Sequence, residues 1–175
     1  MPFAYYDRLS PADKATYRRS DAIGSIALPR AADVQPFADV LREALARDDR
    51  EAVAGAAARL SRGILMLLAA PPVGVEVLAV RPLSRDGELH GLYTNPGGRV
   101  PRIRVWMRTA RQGRVVAFKT FLRTLLHELC HHLDYTYLEL PESFHTEGFF
   151  KRESSLFRQL VAPATAQPRG LEPSR

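Results

Sequence analysis

The chain of 175 residues is long enough for one domain with its own hydrophobic core, and 46% apolar with 25% charged residues is the composition of an ordinary globular protein. The longest apolar run, residues 63–75, is too short to cross a bilayer, and the first residues lack the pattern of a secretory signal, so we expect a cytoplasmic protein without a membrane partner. The net charge is +6, and the single cysteine, Cys130, excludes a disulfide framework and an all-cysteine zinc site.

The first half of the chain is predicted to be helical. Ser10 followed by Pro11 is typical of a helix start, and Gly24 is expected to end this first helix. Apolar residues then recur at three- and four-residue spacing over residues 33–46 and again over about 49–68, which predicts two further helices.

A small sheet is predicted next. After two prolines, residues 73–80 are rich in β-branched side chains and are typical of a strand. The segments LHGLYTN and PRIRVWMR flank Pro-Gly-Gly, which predicts a hairpin. In the second segment apolar residues alternate with arginines and Trp106, so one face is expected in the core. Trp106 is either covered by arginine stems, the commoner situation, or stacks on nucleic-acid bases.

Two helices are predicted after the hairpin. The first covers about residues 116–135, and the second, after a loop, covers about 145–161. Residues 162–175 are rich in proline and alanine and are expected to form a disordered tail. We therefore predict one α+β domain over residues 1–161, with a helical part at 1–70 and the sheet and last helices at 73–161.

The basic residues are concentrated just before the long helix. Residues 61–126 carry eleven basic and three acidic side chains, and the segment 99–123 carries eight basic and no acidic side chains. Such a segment favours an acidic protein or a nucleic-acid backbone as a partner. A solvated basic face without a partner is an equally good interpretation.

Residues 127–131 form the pattern HExxH inside the long helix. His127 and His131 lie one turn apart on one face, which lets both imidazoles bind one Zn²⁺. The apolar residues of the helix fall on the opposite face, so the helix is amphipathic. Glu128 would lie beside the metal, where a carboxylate can take a proton from a bound water molecule. A polar patch without a metal is the alternative.

A catalytic zinc needs a third protein ligand and an open position. The candidates are, in order, His145, Glu147 and Glu142, and His145 is first because it follows a loop long enough for the chain to reverse. Asp134 lies one turn beyond His131 and is expected to orient an imidazole N–H. The sequence therefore predicts one Zn²⁺ per chain.

Three other residues with metal-binding side chains are given structural interpretations. His132 falls at the edge of the apolar face and is expected to pack or to form hydrogen bonds. His90, in the first arm of the hairpin, is expected to be an exposed or hydrogen-bonded strand residue. Cys130 lies beside the apolar face and is expected to fill space in the core.

The segments LLHELCHHLDY, FHTEGFF and GLYTNP…RIRVWMR resemble the zincin metallopeptidases, and most closely the SprT-like group. The resemblance covers about residues 89–160. It implies a zincin-like fold, in which a small three-stranded mixed sheet precedes the active-site helix and a C-terminal helix follows. It also implies His127, His131 and His145 as zinc ligands and Glu128 as the catalytic base.

The resemblance further implies a substrate-binding edge strand. In the family, the last strand before the active-site helix is an edge along which a peptide lies, and the matching residues here are Arg102, Arg104, Val105, Trp106 and Arg108. Thr146 stands where the family usually has a glycine after its third histidine. The cysteine-rich zinc ribbon of many members is also missing from the sequence, which weakens any transfer of their association with DNA-bound proteins.

These patterns together predict a zinc-dependent peptidase that acts on a protein or peptide. Tyr135 and Tyr137 are candidates to stabilise the oxyanion. One alternative is a binding module that keeps zinc as a structural clamp and uses its basic face to hold nucleic acid or an acidic protein. Another is a regulatory or effector protein that cleaves one partner.

Overall fold

Five α-helices, two single-turn 3-10 helices and five strands lie in the described part of the chain, residues 3–84 and 87–161 of a computed structural model. The helices are α1, Pro11–Ala22; α2, Gln35–Ala46; α3, Arg50–Leu67; α4, Phe118–Thr136; and α5, Glu147–Val161. The strands are β1, Gly74–Val80; β2, Leu83–Ser84; β3, Gly87–Glu88; β4, Gly91–Thr94; and β5, Arg102–Arg108. The predicted helices, first strand and hairpin are confirmed. Strands β2 and β3 form a short two-stranded ribbon between β1 and the hairpin.

The sequence predicts a disordered tail and no membrane-spanning segment. The predicted disordered tail, residues 162–175, lies outside the described residues. Over residues 3–84 and 87–161, no helix combines the length and the apolar character needed to cross a membrane.

The first and third helices begin where the sequence provides a cap. The Ser10 hydroxyl accepts a hydrogen bond from the backbone N–H of Asp13 at the start of α1. The Asp49 carboxylate accepts one from the backbone N–H of Ala52 at the start of α3. Each cap satisfies a backbone donor that the first helical turn leaves free, so both starts follow from local sequence.

The hydrophobic core lies between the helices and the sheet. Helix α3 packs against α2 and β1, and α4 packs against β4, β5 and α5. The apolar face predicted for α4 is buried, and it consists of Phe121, Leu122, Leu125, Leu126, Leu129 and Leu133. Burying this face fixes the rotation of α4 about its axis, so the side chains of His127 and His131 lie on the side away from the core.

The three-stranded sheet is mixed and has the order β1-β5-β4. Strand β5 pairs in parallel with β1 and antiparallel with β4, so Val105 lies between Val77 and Gly91. Since both sides of β5 carry strand partners, the prediction of an edge strand made of Arg102, Arg104, Val105, Trp106 and Arg108 is wrong. The edges of the sheet are β1 and β4, and α4 packs against β4.

Strand β5 has the alternation that the sequence predicts on its core face. The residues there, at most 1% exposed, are Ile103, Val105 and Met107. On the other face Trp106 is only 8% exposed, as its commoner interpretation requires. Arg104 and Arg108 form ion pairs with Glu76 and Asp48. Two arginines of the basic segment are therefore already neutralised within the fold.

Candidate metal centre

Three histidine side chains converge at the exposed end of the polar face of α4. His127 and His131 come from α4, and His145 lies just before α5. The Nε2 atom of His145 is 3.0 Å from Nε2 of His127 and 3.0 Å from Nε2 of His131. Two nitrogen ligands of a tetrahedral Zn²⁺ lie about 3.3 Å apart, so the three donor atoms fit one ion.

The surroundings keep two of these imidazoles, those of His131 and His145, in the neutral form that binds metals. Burial lowers the pKa of His131 to about 3, with smaller contributions from His127 and His145. Burial, followed by the effect of His127, also lowers the pKa of His145. A neutral imidazole offers a lone pair on one nitrogen, whereas an imidazolium offers none. The cluster is therefore ready to bind a cation near neutral pH.

A carboxylate on helix α5 orients the imidazole of His127. The Nδ1 atom of His127 is 3.2 Å from Oε2 of Glu153, so Nδ1–H donates to the carboxylate and Nε2 is left for the metal. The second oxygen of Glu153 accepts a hydrogen bond from Nη1 of Arg123 at 3.4 Å. The Glu153 side chain is 12% exposed. Sequence reasoning missed this residue, because nothing local marks which acidic residue of α5 faces α4.

A relay of two side chains orients His131. Nδ1 of His131 is 2.7 Å from Oγ of Ser143, and the Ser143 hydroxyl donates to Oδ2 of Asp134 at 2.8 Å. The imidazole N–H then donates to Ser143, and Nε2 again faces the metal position. Asp134 thus has the orienting environment that the sequence predicts, but it reaches the imidazole through a serine that the sequence did not single out.

A buried arginine holds Asp134 in place. Arg152 of α5 is 0% exposed, and its Nη2 donates to Asp134 Oδ1 at 2.9 Å. Its Nη1 donates to the backbone carbonyls of Ser20 and Ile23 at 2.6 Å each, at the C-terminal end of α1. Burial raises the pKa of Asp134, and Arg152 and Ser143 oppose that effect. The first helix is thereby connected to His131 through Arg152, Asp134 and Ser143.

The same N-terminal segment supports His145. The Tyr5 hydroxyl donates to the backbone carbonyl of His145 at 3.4 Å. The side chain of Thr146 lies 3.3 Å from the Ser20 hydroxyl, and the Asp21 carboxylate accepts the backbone N–H of Gly148 at 3.0 Å. Thr146, which departs from the family pattern, has a role here as the residue that joins the third histidine to α1.

The other candidate ligands lie outside the histidine cluster. Glu147 is exposed and forms an ion pair with Lys151 at 2.6 Å. Glu142 is exposed and accepts a hydrogen bond from the Tyr135 hydroxyl at 2.5 Å. Among the described residues, the group close enough to hold a metal contains only the three histidines. The structure therefore brings His145, the first-ranked candidate, next to the two helix histidines, and it does not bring Glu147 or Glu142 there.

Glu128 lies against the edge strand β4. It is 7% exposed, and burial raises its pKa to about 6, against smaller opposing effects of His127 and the backbone N–H of Tyr93. A Cβ atom on Gly91 would lie 2.5 Å from Oε1 of Glu128, so the Glu128 side chain would have to move to admit it. Gly91 is therefore needed for the carboxylate to pack against β4. A glycine inside a strand is the sequence signal that could have identified it.

His132 and Cys130 have the structural roles that the sequence predicts, whereas His90 lies at a cleft that the sequence does not indicate. His132 donates from Nε2 to the backbone carbonyl of Pro71 at 2.8 Å and accepts from the Tyr93 hydroxyl at 3.2 Å, as expected of a hydrogen-bonding histidine. Cys130 is 0% exposed in the core, also as expected. His90 is exposed as predicted, but it lines a cleft beside Glu128, which sequence reasoning missed.

The two candidate oxyanion donors lie at the C-terminal end of α4. The Tyr135 ring stacks on that of Tyr93, with 6.1 Å between the ring centroids, and its hydroxyl is engaged by Glu142. Burial is the largest of several effects that raise the pKa of Tyr135 to about 12. Tyr137 follows α4 and is 43% exposed. The assignment of either residue to the oxyanion stays a prediction.

A cleft of about 280 Å³ opens next to the histidines. Its lining comes from the start of β4, from α4 and from α5, and consists of His90, Gly91, Arg123, Thr124, His127, Glu128 and Glu153. The cleft therefore adjoins one proposed ligand and the proposed base.

Comparisons of the chain with models of known protein families, with curated proteins and with solved structures found no match.

Proposed function

We propose that this chain is a zinc-dependent metallopeptidase with a zincin-like fold, most like the SprT-like group. His127, His131 and His145 would hold one Zn²⁺, and Glu128 would be the general base. The observation that carries the proposal is the convergence of three imidazoles, whose Nε2 atoms lie close enough together to hold one metal ion. A buried carboxylate on the residue next to the first of them is the second part of a hydrolytic site.

Zinc, when bound, would polarise the scissile carbonyl and lower the pKa of a water molecule at the open position. Glu128 would take a proton from the attacking water and give it to the leaving amine. In the metal-free protein, burial raises the pKa of Glu128 to about 6, towards the range that suits a general base. Glu153 and Ser143 would keep the two helix imidazoles in the tautomer that exposes Nε2.

Strand β4 is the element best placed to hold a peptide substrate. It pairs with β5 on one side only, and Gly91 brings its backbone against Glu128. An extended peptide that adds to the free side of β4 would therefore lie beside the proposed base. This assignment replaces β5, which the resemblance implied and which lies in the centre of the sheet.

The decisive experiment compares wild type with Glu128→Gln. Zinc would be measured by metal analysis, and cleavage would be followed by mass spectrometry on denatured proteins and on a broad peptide library. We expect one zinc per chain in both proteins and a loss of cleavage of about 10²–10⁴-fold in the variant, the usual contribution of a general base. Glu51→Gln, at an exposed position of α3, is the matched control and should keep full activity.

The outcomes separate the proposal from its alternatives. His145→Ala should retain much less zinc than wild type, because only two ligands would remain. Zinc-loaded wild type that cleaves none of these substrates would contradict the peptidase proposal and favour the zinc-stabilised binding module. Cleavage of a single protein but not of the peptide library would favour an effector directed at one partner.

A further inference from the structure

The cleft beside Glu128 contains one exposed cation that the proposed reaction does not use. Arg123 lies on α4 one turn before His127, and its side chain is 45% exposed. The cleft begins at His90 and Gly91, the N-terminal end of the free strand β4. A peptide held along β4 would therefore place one of its groups in this cleft.

The guanidinium of Arg123 is held in a fixed position. Its central carbon lies 4.2 Å from the centre of the Phe157 ring, and Nη1 donates to Oε1 of Glu153 at 3.4 Å. Within the described part of the chain no other hydrogen bond to this guanidinium is present. Several N–H donors of a residue that lines the cleft are therefore left for a ligand, and a planar guanidinium can bind a carboxylate through two hydrogen bonds.

The two carboxylates that line the cleft already accept hydrogen bonds from the protein. Both oxygens of Glu153 have partners, since Oε1 accepts from Arg123 and Oε2 from His127. The Glu128 carboxylate accepts a hydrogen bond from the backbone N–H of Tyr93 and is only 7% exposed. His90 contributes no negative charge, and Zn²⁺ at the neighbouring histidines would add positive charge to the rim. The exposed part of the guanidinium therefore offers the hydrogen-bond donors of a charged side chain to a ligand in the cleft.

We propose that this cleft binds a carboxylate of the peptide substrate through Arg123. The proposal rests on the proposed peptidase function and names its substrate class. The carboxylate belongs either to an aspartate or glutamate side chain beside the scissile bond or to the free C-terminus of the peptide. A volume of about 280 Å³ accommodates one amino-acid side chain or one C-terminal residue.

The test uses zinc-loaded full chain and peptide libraries matched in pairs. One pair differs only by Glu or Gln at one fixed position, and the other pair differs only by a free or an amidated C-terminus. Binding is measured on the Glu128→Gln variant, which removes turnover, and cleavage is measured on wild type. We expect the acidic member of one pair to be bound and cleaved about tenfold better than its neutral partner, as charge-assisted hydrogen bonds at a partly exposed site would give.

Variants of Arg123 identify the group responsible. Arg123→Gln should remove the preference, and Arg123→Glu should shift it towards a lysine-containing library. Arg111→Gln, which changes an exposed arginine outside the cleft, is the matched control and should keep the preference. Zinc content and circular dichroism of each variant establish that the site and the fold are retained.

Each result has a defined meaning. A preference for the Glu library points to a side chain, and a preference for the free C-terminus points to the end of the chain. Equal binding of acidic and neutral peptides, or a preference that survives Arg123→Gln, overturns the proposal. Acidic peptides that bind the Glu128→Gln chain but are not cleaved by wild type contradict the peptidase function and leave the carboxylate site standing.

Discussion

The replacement Arg152→Met tests how the fold supports the metal site. Arg152 is 0% exposed and neutralises Asp134, which is also 0% exposed. Methionine fills much of the same volume but removes every hydrogen bond of the guanidinium, including those to the carbonyls at the end of α1. The Asp134 carboxylate would then be buried without a counter-charge, which is the unfavourable part of breaking an internal ion pair.

The expected loss is large for a protein of this size. Removing one partner of a buried ion pair lowers the free energy of unfolding by about 3–5 kcal/mol, and a typical domain has about 5–15 kcal/mol in total. With a urea m-value of about 2 kcal/mol/M, the midpoint of unfolding should fall by about 2 M. Because Asp134 orients His131 through Ser143, zinc affinity should also fall, by about 10–100-fold.

Urea unfolding of metal-free protein, followed by circular dichroism, measures the first effect without a contribution from zinc binding. Competition with a zinc-binding dye measures the second. Arg158→Met changes an exposed arginine on the same helix and should alter the free energy of unfolding by less than about 0.5 kcal/mol. Adding Asp134→Asn to Arg152→Met should recover part of the loss, because the uncompensated charge is gone.

The pH dependence provides an independent check. Burial already raises the folded-state pKa of Asp134 above its usual value, and loss of Arg152 would raise it further. A group with a raised folded-state pKa contributes stability below its unfolded-state pKa and loses it as the pH rises through the folded-state value. The defect should therefore shrink as the pH falls towards about 4. A loss below about 1 kcal/mol at neutral pH, or one that does not change with pH, would refute the reasoning.

Three further predictions concern the site itself. Gly91→Ala should fold and bind zinc but lower kcat by about 10²-fold, because the new Cβ displaces the Glu128 carboxylate; an unchanged kcat would contradict this. Ser143→Ala should weaken zinc binding by about 10–100-fold in dye competition, whereas Ser155→Ala should not. Burial raises the pKa of Glu128 from 4.5 to about 6, so its ionisation destabilises the metal-free fold as the pH rises through that range. In urea titrations above pH 6, the free energy of unfolding of metal-free Glu128→Gln should therefore be about 2 kcal/mol higher than that of wild type. An equal or lower free energy of unfolding would contradict the burial argument.

The local parts of the site follow from the sequence. His127 and His131 share a face because four residues make about one helical turn. Burial of the opposite apolar face determines which side of the helix faces the core. The helix caps at Ser10 and Asp49 and the hairpin around Pro-Gly-Gly also depend on neighbouring residues alone. Even the choice of His145 required only that the loop before it could reverse the chain.

The supporting contacts were decided by tertiary structure. Arg152, Ser143 and Glu153 reach the metal ligands from other segments, and no spacing along the chain encodes which polar residue of one helix meets another. The central position of β5 likewise depends on its parallel pairing with β1, a strand separated from it by the β2–β3 ribbon and β4. Periodicity determines which face of an element is buried. Only long-range packing determines its neighbours, and those neighbours set the charge, orientation and proton affinity of the site.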